Sequence, residues 1–451
     1  MAHEVELKLT LPAYEIESFL QDTDLGEPQG DPLILDNQYF DTDDLTLNQS
    51  HAALRIRKSQ HGYKQTLKNK GQAIAGLHQR GEWEYDISEP VLDWSLFPDE
   101  IALDPKLKDS IKPIFKTDFT RHVWIRQQGE STIELVLDHG VIKNSENNIA
   151  LCEIELELKA GRIEDLFEFA IELSHRHALV PCDINKAERG YHLNYPDLSF
   201  FQPQPFADDK DFDVRELLQE SLTRISRRWD DFTAQENWWS FLVMSRQISG
   251  VHGLLTALNG PKALQSVWKQ LDKEVLALLS PARTAIALYV DDHSHSRGLS
   301  NRILQSVQPS LNQKISDWMQ KNTLGIAMLQ LGYWLYDRSE SLSYHSCVQP
   351  ELQTWANGLY QEPVTCFEDL HHLQKVAYCY RRLNHPAYES LHQFIKLQMV
   401  VLGMTDALEI CVITDSDSRA KLSSWTRRLT VEQRHLAQAR DAYQMENTFD
   451  Q

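Results

Sequence analysis

Two segments far apart in the chain carry carboxylates at every second position. Glu4 and Glu6 alternate with apolar residues in the first segment, and Glu153, Glu155 and Glu157 do so in the second. Because successive side chains of a strand point to opposite faces, each segment predicts a β-strand with one acidic face. For either segment alone, a solvated sheet face is the simpler interpretation. The recurrence of the pattern favours a shared acidic surface.

The strands predicted between these two segments carry basic side chains on one face. Arg55 and Arg57 share a face, as do Lys64 and Lys68, and Arg121 lies in a later alternating segment. If the strands close into a barrel with their charged faces inward, an acidic wall faces a basic wall. Such charges must be paired, coordinated or neutralised, because their removal from water is costly. Carboxylates suit hard divalent cations, and arginine and lysine suit phosphate oxygens.

The pentapeptide Glu4-Val5-Glu6-Leu7-Lys8 resembles the ExExK signature of the CYTH superfamily, the triphosphate tunnel metalloenzymes. Other segments resemble that family in the same order over about two hundred residues. They are Tyr39-Phe40-Asp41-Thr42, Leu54-Arg55-Ile56-Arg57, Thr66-Leu67-Lys68, Gly76-Leu77-His78-Gln79-Arg80-Gly81-Glu82, Thr117-Asp118-Phe119 with Arg121, Ile133-Glu134 with Asp138, the strand from Glu153, and Lys186-Ala187-Glu188-Arg189-Gly190-Tyr191. The order resembles most the bacterial inorganic triphosphatases, in which a helical CHAD domain follows. The resemblance implies a closed antiparallel tunnel with a charged lumen.

The resemblance and the alternation together assign roles to individual residues. The predicted ligands of Mg2+ or Mn2+ are Glu4, Glu6, Asp138, Glu153 and Glu155. The predicted triphosphate contacts are Lys8, Arg55, Arg57, Lys68, Arg80, Arg121, Lys186 and Arg189. The predicted catalytic group is Glu4, Glu6 and Lys8, with Lys8 next to the attacking water or the scissile phosphate.

A few positions allow other interpretations. Arg80 could instead pair with Glu82 or Glu84 on its own strand, and Arg126 falls on the face opposite the lumen. Glu157 and Lys64 are expected near the ends of their strands, where they would only adjust the local charge.

The predicted fold class is α+β: a closed antiparallel β-tunnel of about eight strands with flanking helices, followed by an all-α helical-bundle domain. A chain of 451 residues with 42% hydrophobic residues is long enough for two cores. We predict a catalytic domain over 1–200, a proline-rich and acidic linker over 201–212, and a CHAD-like domain over 213–451. Tunnel-domain helices are expected at 13–21 and 163–177. Bundle helices are predicted near 214–235, 238–258, 262–279, 311–335, 368–382, 386–402 and 419–444.

The motif support for a CHAD-like domain is thin. The segment comparable to the basic first helix of that family keeps only Arg246 and His252. The resemblance to a CHAD domain implies polyphosphate as a partner of the helical domain, and the missing basic residues argue against that partner. The basic pairs Arg227-Arg228, Arg381-Arg382 and Arg427-Arg428, with His371-His372, could form an anion patch, but solvated helix faces are the preferred interpretation.

Charge and composition indicate which partners and which cellular compartment to expect. A net charge of −20 argues against nucleic acid as a partner, because such binding depends on a basic surface. No signal peptide or membrane-spanning segment is expected, and the six cysteines lack paired metal spacing. We therefore expect a cytoplasmic protein with reduced thiols and no membrane partner.

The predicted function is a metal-dependent inorganic triphosphatase that converts tripolyphosphate to pyrophosphate and phosphate. The sequence shows no Ser/His/Asp or Cys/His arrangement and no glycine-rich phosphate loop. A class IV adenylyl cyclase and a thiamine or nucleoside triphosphatase are the alternatives within the family. A polyphosphate-binding module that does not cleave is the alternative outside enzymes.

Overall fold

The computed structural model describes residues 2–69, 71–97, 107–195, 214–235, 237–257, 260–282, 285 and 294–337. Ten strands occupy the first 181 residues. They are β1 (Ala2–Thr10), β2 (Leu33–Asp41), β3 (Ala53–Ser59), β4 (Gly62–Lys68), β5 (Gln72–Ile74), β6 (Leu77–Ile87), β7 (Lys112–Gln128), β8 (Ser131–Lys143), β9 (Asn148–Ala160) and β10 (Val180–Pro181).

Eight of these strands form a closed antiparallel ring. Its order is β1-β9-β8-β7-β2-β3-β4-β6, and β6 pairs again with β1 to complete the circle. The short strands β5 and β10 are attached to β6 and β1. The predicted β-tunnel, with helices around it and a helical region after it, is confirmed.

The register places opposite charges across from each other in the lumen. Lys8 of β1 lies opposite Glu155 of β9, and Glu4 lies opposite Arg80 of β6. Cross-strand neighbours of opposite charge stabilise a sheet, whereas like charges destabilise it. The charged faces that the sequence predicts therefore pair with each other around the ring.

The apolar faces of the same strands form a core outside the tunnel. Leu7, Leu135 and Leu156 are fully buried there. Helix α1 (Ile16–Leu20), which follows a 3-10 turn at Ala13–Glu15, contributes Phe19, and helix α4 (Ile163–Ser174) contributes Phe169. The predicted helices at 13–21 and 163–177 are confirmed with small differences at their ends. The short helix α2 (Thr46–Gln49) lies between β2 and β3, and the short helix α3 (Leu107–Ser110) lies between β6 and β7.

Helix α5 (Lys186–Asn194) enters one end of the tunnel. Asn185 caps it by accepting a hydrogen bond from the Glu188 amide at 2.9 Å. Tyr191 packs with the buried aromatic rings of Tyr39 and Phe115. At Gly190 a Cβ atom would lie 2.1 Å from Cε2 of Phe115, so only glycine lets the helix approach so closely.

The described helices from Val214 onward are divided between two compact units. Helix α6 (Val214–Gln235) has residues 219–235 in the unit of the tunnel, and helix α10 (Thr323–Asp337) belongs to that unit as well. The second unit contains α7 (Trp238–Ala257), α8 (Lys262–Leu279), a turn at Ser280–Ala282 and α9 (Ser294–Met319). Its core includes the fully buried residues Phe241, Trp268 and Leu311. Over the described residues, no helix is both long and apolar enough to cross a membrane.

The predicted helices at 214–235, 238–258 and 262–279 are confirmed within one residue at each end. The single helix predicted at 311–335 is wrong, because α9 ends at Met319 and α10 begins at Thr323. Between them Asn322 has a φ of +57°, which a continuous right-handed helix does not allow and asparagine tolerates. The linker at 201–212, the helices predicted beyond 337, and the pairs Arg381-Arg382, Arg427-Arg428 and His371-His372 lie outside the described residues. The domain boundaries stay predictions.

Candidate functional site

A cavity of about 1010 Å³ occupies the tunnel. Its volume is at the upper end of the ~300–1,000 Å³ range of small-molecule sites. Most of the predicted phosphate contacts line it. They are Lys8, Arg55, Arg57, Lys68, Arg80, Arg121 and Lys186.

Three carboxylates converge on one side of the tunnel, and we call them the acidic triad: Asp138, Glu153 and Glu155. One carboxylate oxygen from each lies within 4.8 Å of the others. The register explains this convergence, because Asp138 of β8 lies directly opposite Glu153 of β9. Asp138 is completely buried and Glu153 is 1% exposed. Like charges brought together in this way require a cation between or beside them.

Lys186, the first residue of α5, provides that cation. Its Nζ atom lies 2.7 Å from Oδ2 of Asp138 and 3.1 Å from Oε1 of Glu155, and it pairs with Glu153. Arg121 of β7 binds Asp138 with two parallel hydrogen bonds of 2.7 Å. Both cations therefore contact the triad from neighbouring elements, one from the strand and one from the helix.

These contacts determine the charge states of the triad. Burial alone would raise the pKa of Glu155, but Lys186, Lys8 and Arg121 hold it well below its ordinary value. Burial would also raise the pKa of Asp138, and the same neighbours Arg121 and Lys186 lower it. Burial would lower the pKa of Lys186, but the carboxylates raise it. Asp138 and Glu155 are therefore ionised and Lys186 is protonated at neutral pH.

A second acidic group, the Glu4/Glu6 pair, lies on β1. Arg80 of β6 donates to Oε2 of Glu4 at 3.1 Å and to Oε1 of Glu6 at 2.5 Å. Lys68 of β4 donates to both oxygens of Glu4 at 2.9 Å. Burial would raise the pKa of Glu4, but Lys68 and Arg80 lower it. Arg80 thus pairs with β1 rather than with the carboxylates of its own strand.

Lys8 connects the two acidic groups. Its Nζ atom lies 3.2 Å from Glu6 and 3.1 Å from Glu155, and the residue is 3% exposed. Burial would lower its pKa, but Glu6 and Glu155 raise it. Lys8 is therefore a protonated donor and not a base.

The arginines of β3 are the lumen cations that nearby carboxylates neutralise least. Arg57 donates to Oδ1 of Asn37 at 2.9 Å and approaches Glu84 only to 3.9 Å. Burial, followed by repulsion from Arg55 and Arg121, lowers the pKa of Arg57 to about 10. Nε of Arg55 is buried with no hydrogen-bond partner among the described residues. Buried arginines that repel each other form a site suited to a polyanion.

The acidic triad is also the group of described residues whose donor atoms are placed to hold a metal ion. Carboxylate oxygens at this spacing fit a hard divalent cation such as Mg2+ or Mn2+. The ammonium group of Lys186 contacts the same oxygens. The donor set therefore fits the predicted cation, which would share these oxygens with Lys186. Glu4 and Glu6 instead contact lysine and arginine.

The tunnel half of the chain is similar to known proteins. Residues 2–191 match the family model of the CYTH domain. The matched residues, which are less than half of the chain, resemble a CYTH domain. The inorganic triphosphatase of Haemophilus influenzae is 34% identical over 201 residues, which are 43% of this chain and 55% of the relative. The chain thus spans about half the length of that relative.

Two solved structures also resemble part of the chain. One is a candidate adenylyl cyclase from Hippeastrum described as having a dominant triphosphatase activity. It is 20% identical, with a TM-score of 0.34, and the match covers 42% of this chain and 96% of that one. The other is a candidate adenylate cyclase from Bacillus halodurans. It is 24% identical, with a TM-score of 0.29, and the match covers 42% of this chain and 98% of that one.

Within the CYTH domain, one predicted phosphate contact lies apart from the others. The guanidinium of Arg189 lies 2.5 Å from Oδ1 of Asp230 and 3.3 Å from Sγ of Cys182. It therefore joins α5 to α6 instead of contacting the triad. Its assignment as a phosphate contact stays a prediction.

Three further positions lie where the sequence places them. Lys64 is near the β3–β4 hairpin, half-exposed, and pairs with Glu84 at 2.9 Å. Glu157 pairs with Lys159 at 2.7 Å, near the end of β9. Arg126 lies on the outer face, 5.9 Å from the ring centroid of Phe169.

One residue of the site was not found from the sequence. Arg227 of α6 lies beyond the CYTH domain, yet its side chain lines the tunnel cavity and pairs with Glu188 of α5. The sequence pattern predicts a solvated helix face for Arg227, and for this residue that interpretation is wrong, because its side chain is only 19% exposed. No local signal identifies it, since its place depends on how α6 packs against the tunnel.

Proposed function

We propose that the protein hydrolyses the terminal phosphoanhydride of tripolyphosphate to give pyrophosphate and phosphate, with Mg2+ or Mn2+ as cofactor. The observation that supports this most directly is that one cavity is lined both by Glu155, which belongs to the acidic triad, and by a separate group of buried arginines. Lys8 lies at the border of the two acidic groups. A triphosphate with its divalent cation needs these two environments side by side.

The arginines and lysines bind and orient the substrate. Arg55 and Arg57 would each donate a charge-assisted hydrogen bond to a phosphate oxygen, whereas their present neighbours Glu82 and Glu84 lie 3.9 Å away. Lys68 and Arg80 exchange some of their contacts with Glu4 and Glu6 for contacts with the substrate. The ion pairs of the free protein thus keep the lumen charges neutralised until the polyanion replaces them.

Lys8 holds a phosphate oxygen at the reacting end. Because it stays protonated, it donates to that oxygen and stabilises the charge that develops there. Water attacks the terminal phosphorus, the bond from phosphorus to the bridging oxygen breaks, and pyrophosphate leaves with the bond electrons. The proton that the water loses passes to a phosphate oxygen of the products or to solvent. A divalent ion bound at the acidic triad supplies charge neutralisation and lowers the pKa of water.

The test is phosphate release from tripolyphosphate with Mg2+ or Mn2+, with and without a chelator, and with ATP as the competing substrate. The variant is Asp138→Asn, and the matched control is Arg126→Gln on the outer face. We expect metal-dependent release that Asp138→Asn abolishes and Arg126→Gln retains, with ATP a poorer substrate. Cyclic AMP formed from ATP without phosphate release would instead indicate a cyclase. Binding of tripolyphosphate without release would indicate a binding module.

A further inference from the structure

Helix α6 lies beyond the residues that match the CYTH domain, and two ion pairs connect it to α5. Arg227 pairs with Glu188, and Asp230 pairs with Arg189 at 2.5 Å. The two α6 residues are three positions apart and therefore lie on one face of their helix. Glu188 and Arg189 are consecutive on α5. The two ion pairs therefore attach α6 to two adjacent residues of α5.

A third α6 residue fixes the chain just before α5. The hydroxyl of Ser226 donates to the carbonyl of Pro181 at 3.0 Å and accepts from the amide of Asp183 at 3.1 Å. Ser226 is 2% exposed. The segment that leads into α5 and the first turn of α5 are thus both attached to the same face of α6.

These attachments matter because the first turn of α5 carries Lys186. The lysine contacts all three carboxylates of the acidic triad, at the position that a divalent ion would share. A rotation of α5 would change the position of Lys186 relative to the triad. Misplacement of a site group by about 1 Å can reduce the rate by about a hundredfold.

The matched CYTH domain therefore does not contain everything that places Lys186. We propose that Arg227 and Asp230 are positioning residues that hold α5 through Glu188 and Arg189, and thereby set the location of Lys186 at the acidic triad. The kinetic part of this proposal rests on the proposed triphosphatase function. It gives α6 a defined role in the site.

The kinetic test is a double-mutant cycle in the full chain with Arg227→Gln, Glu188→Gln and the double variant. We expect each single variant to lower kcat/KM for tripolyphosphate by about ten- to a hundredfold, and the double variant to lose no more, because both remove one link. Arg227→Lys should recover most of the activity. Arg224→Gln on the same helix, whose residue pairs with Glu220 of α6, is the control and should behave as the native chain.

The cycle also separates positioning from direct substrate binding. If Arg227→Gln raised KM while Glu188→Gln had no effect, Arg227 would contact the substrate and the positioning role would be overturned. Additive losses would overturn it as well. Thermal unfolding of each variant, compared with Arg224→Gln, shows whether a loss is only a loss of folded protein.

A second readout does not need turnover. Acetylation of Lys186, followed by peptide mass spectrometry, should be slow in the native chain, since the residue is only 5% exposed. It should become severalfold faster in Arg227→Gln and Asp230→Asn but not in Arg224→Gln. Unchanged labelling would overturn the positioning role even if the chain hydrolyses tripolyphosphate. Faster labelling in a chain that releases no phosphate would leave the positioning role standing and refute the proposed function.

Discussion

The tunnel holds two acidic groups that look alike in sequence and differ in three dimensions. In the Glu4/Glu6 pair, Lys68 contacts Glu4, Lys8 contacts Glu6, and Arg80 contacts both. The acidic triad converges on one point, where the ammonium group of Lys186 contacts all three carboxylates. The first arrangement orients cations toward the lumen, whereas the second gathers donor oxygens around one ion.

This difference assigns separate tasks to residues that the sequence places in one class. A carboxylate that fixes an arginine contributes to substrate binding through that arginine. A carboxylate that converges with two others contributes donor atoms to a divalent ion. Substitutions in the two groups should therefore have different signatures.

The largest expected effect is on metal binding. Glu153→Gln should weaken Mn2+ binding by at least about a hundredfold, since even outer-shell changes cost ~10–100-fold, while Glu4→Gln should leave it nearly unchanged. Glu153→Gln also removes one of the carboxylates that neutralise the charge of Lys186. Breaking a buried ion pair costs about 3–5 kcal/mol of stability. Electron paramagnetic resonance of Mn2+ and thermal unfolding measure the two effects. Equal loss of Mn2+ binding in both variants would remove the distinction between the groups.

An intermediate effect is expected within the basic wall. Arg57→Gln should raise the KM for tripolyphosphate by about ten- to a hundredfold, because a charge-assisted hydrogen bond contributes about 1.5–3 kcal/mol. It should not lower the melting temperature, since Arg57 is repelled by Arg55 and Arg121. Arg80→Gln should lower the melting temperature, because it leaves Glu4 and Glu6 without their shared partner. A destabilised Arg57→Gln variant would contradict this account of the basic wall.

The smallest expected effect is a difference between two glutamates of β9 in how their ionisation changes stability with pH. The lowered pKa of Glu155 means that its contribution to stability is present above pH 4.5 and is lost as the pH falls below that value. Burial raises the pKa of Glu157, so its ionisation decreases stability as the pH rises above 4.5. Glu157→Gln should thus slightly raise the melting temperature at pH 7, whereas Glu155→Gln should lower it. Melting curves between pH 4 and pH 7 measure both, and the same sign for both variants would be the contrary result.

Much of the tunnel could be predicted because its signal is local. Alternation at Glu4 and Glu6, and again from Glu153 to Glu157, identifies the strands and the charged face without knowledge of their neighbours. The first three helices of the second half follow from apolar periodicity in the same way. The break at Asn322 was missed, because one residue in a left-handed conformation leaves the periodicity on both sides intact.

By itself, the sequence determined which strand side chains share a charged face and which faces carry opposite charge, because every second residue of a strand points to the same side. Only the tertiary structure decided how those charges are shared. Register brought Asp138 beside Glu153, and the docking of α5 placed Lys186 among them. The packing of α6 directed Arg189 to Asp230 and brought Arg227 to the cavity. Contacts between residues distant in sequence depend on packing, which no local pattern encodes.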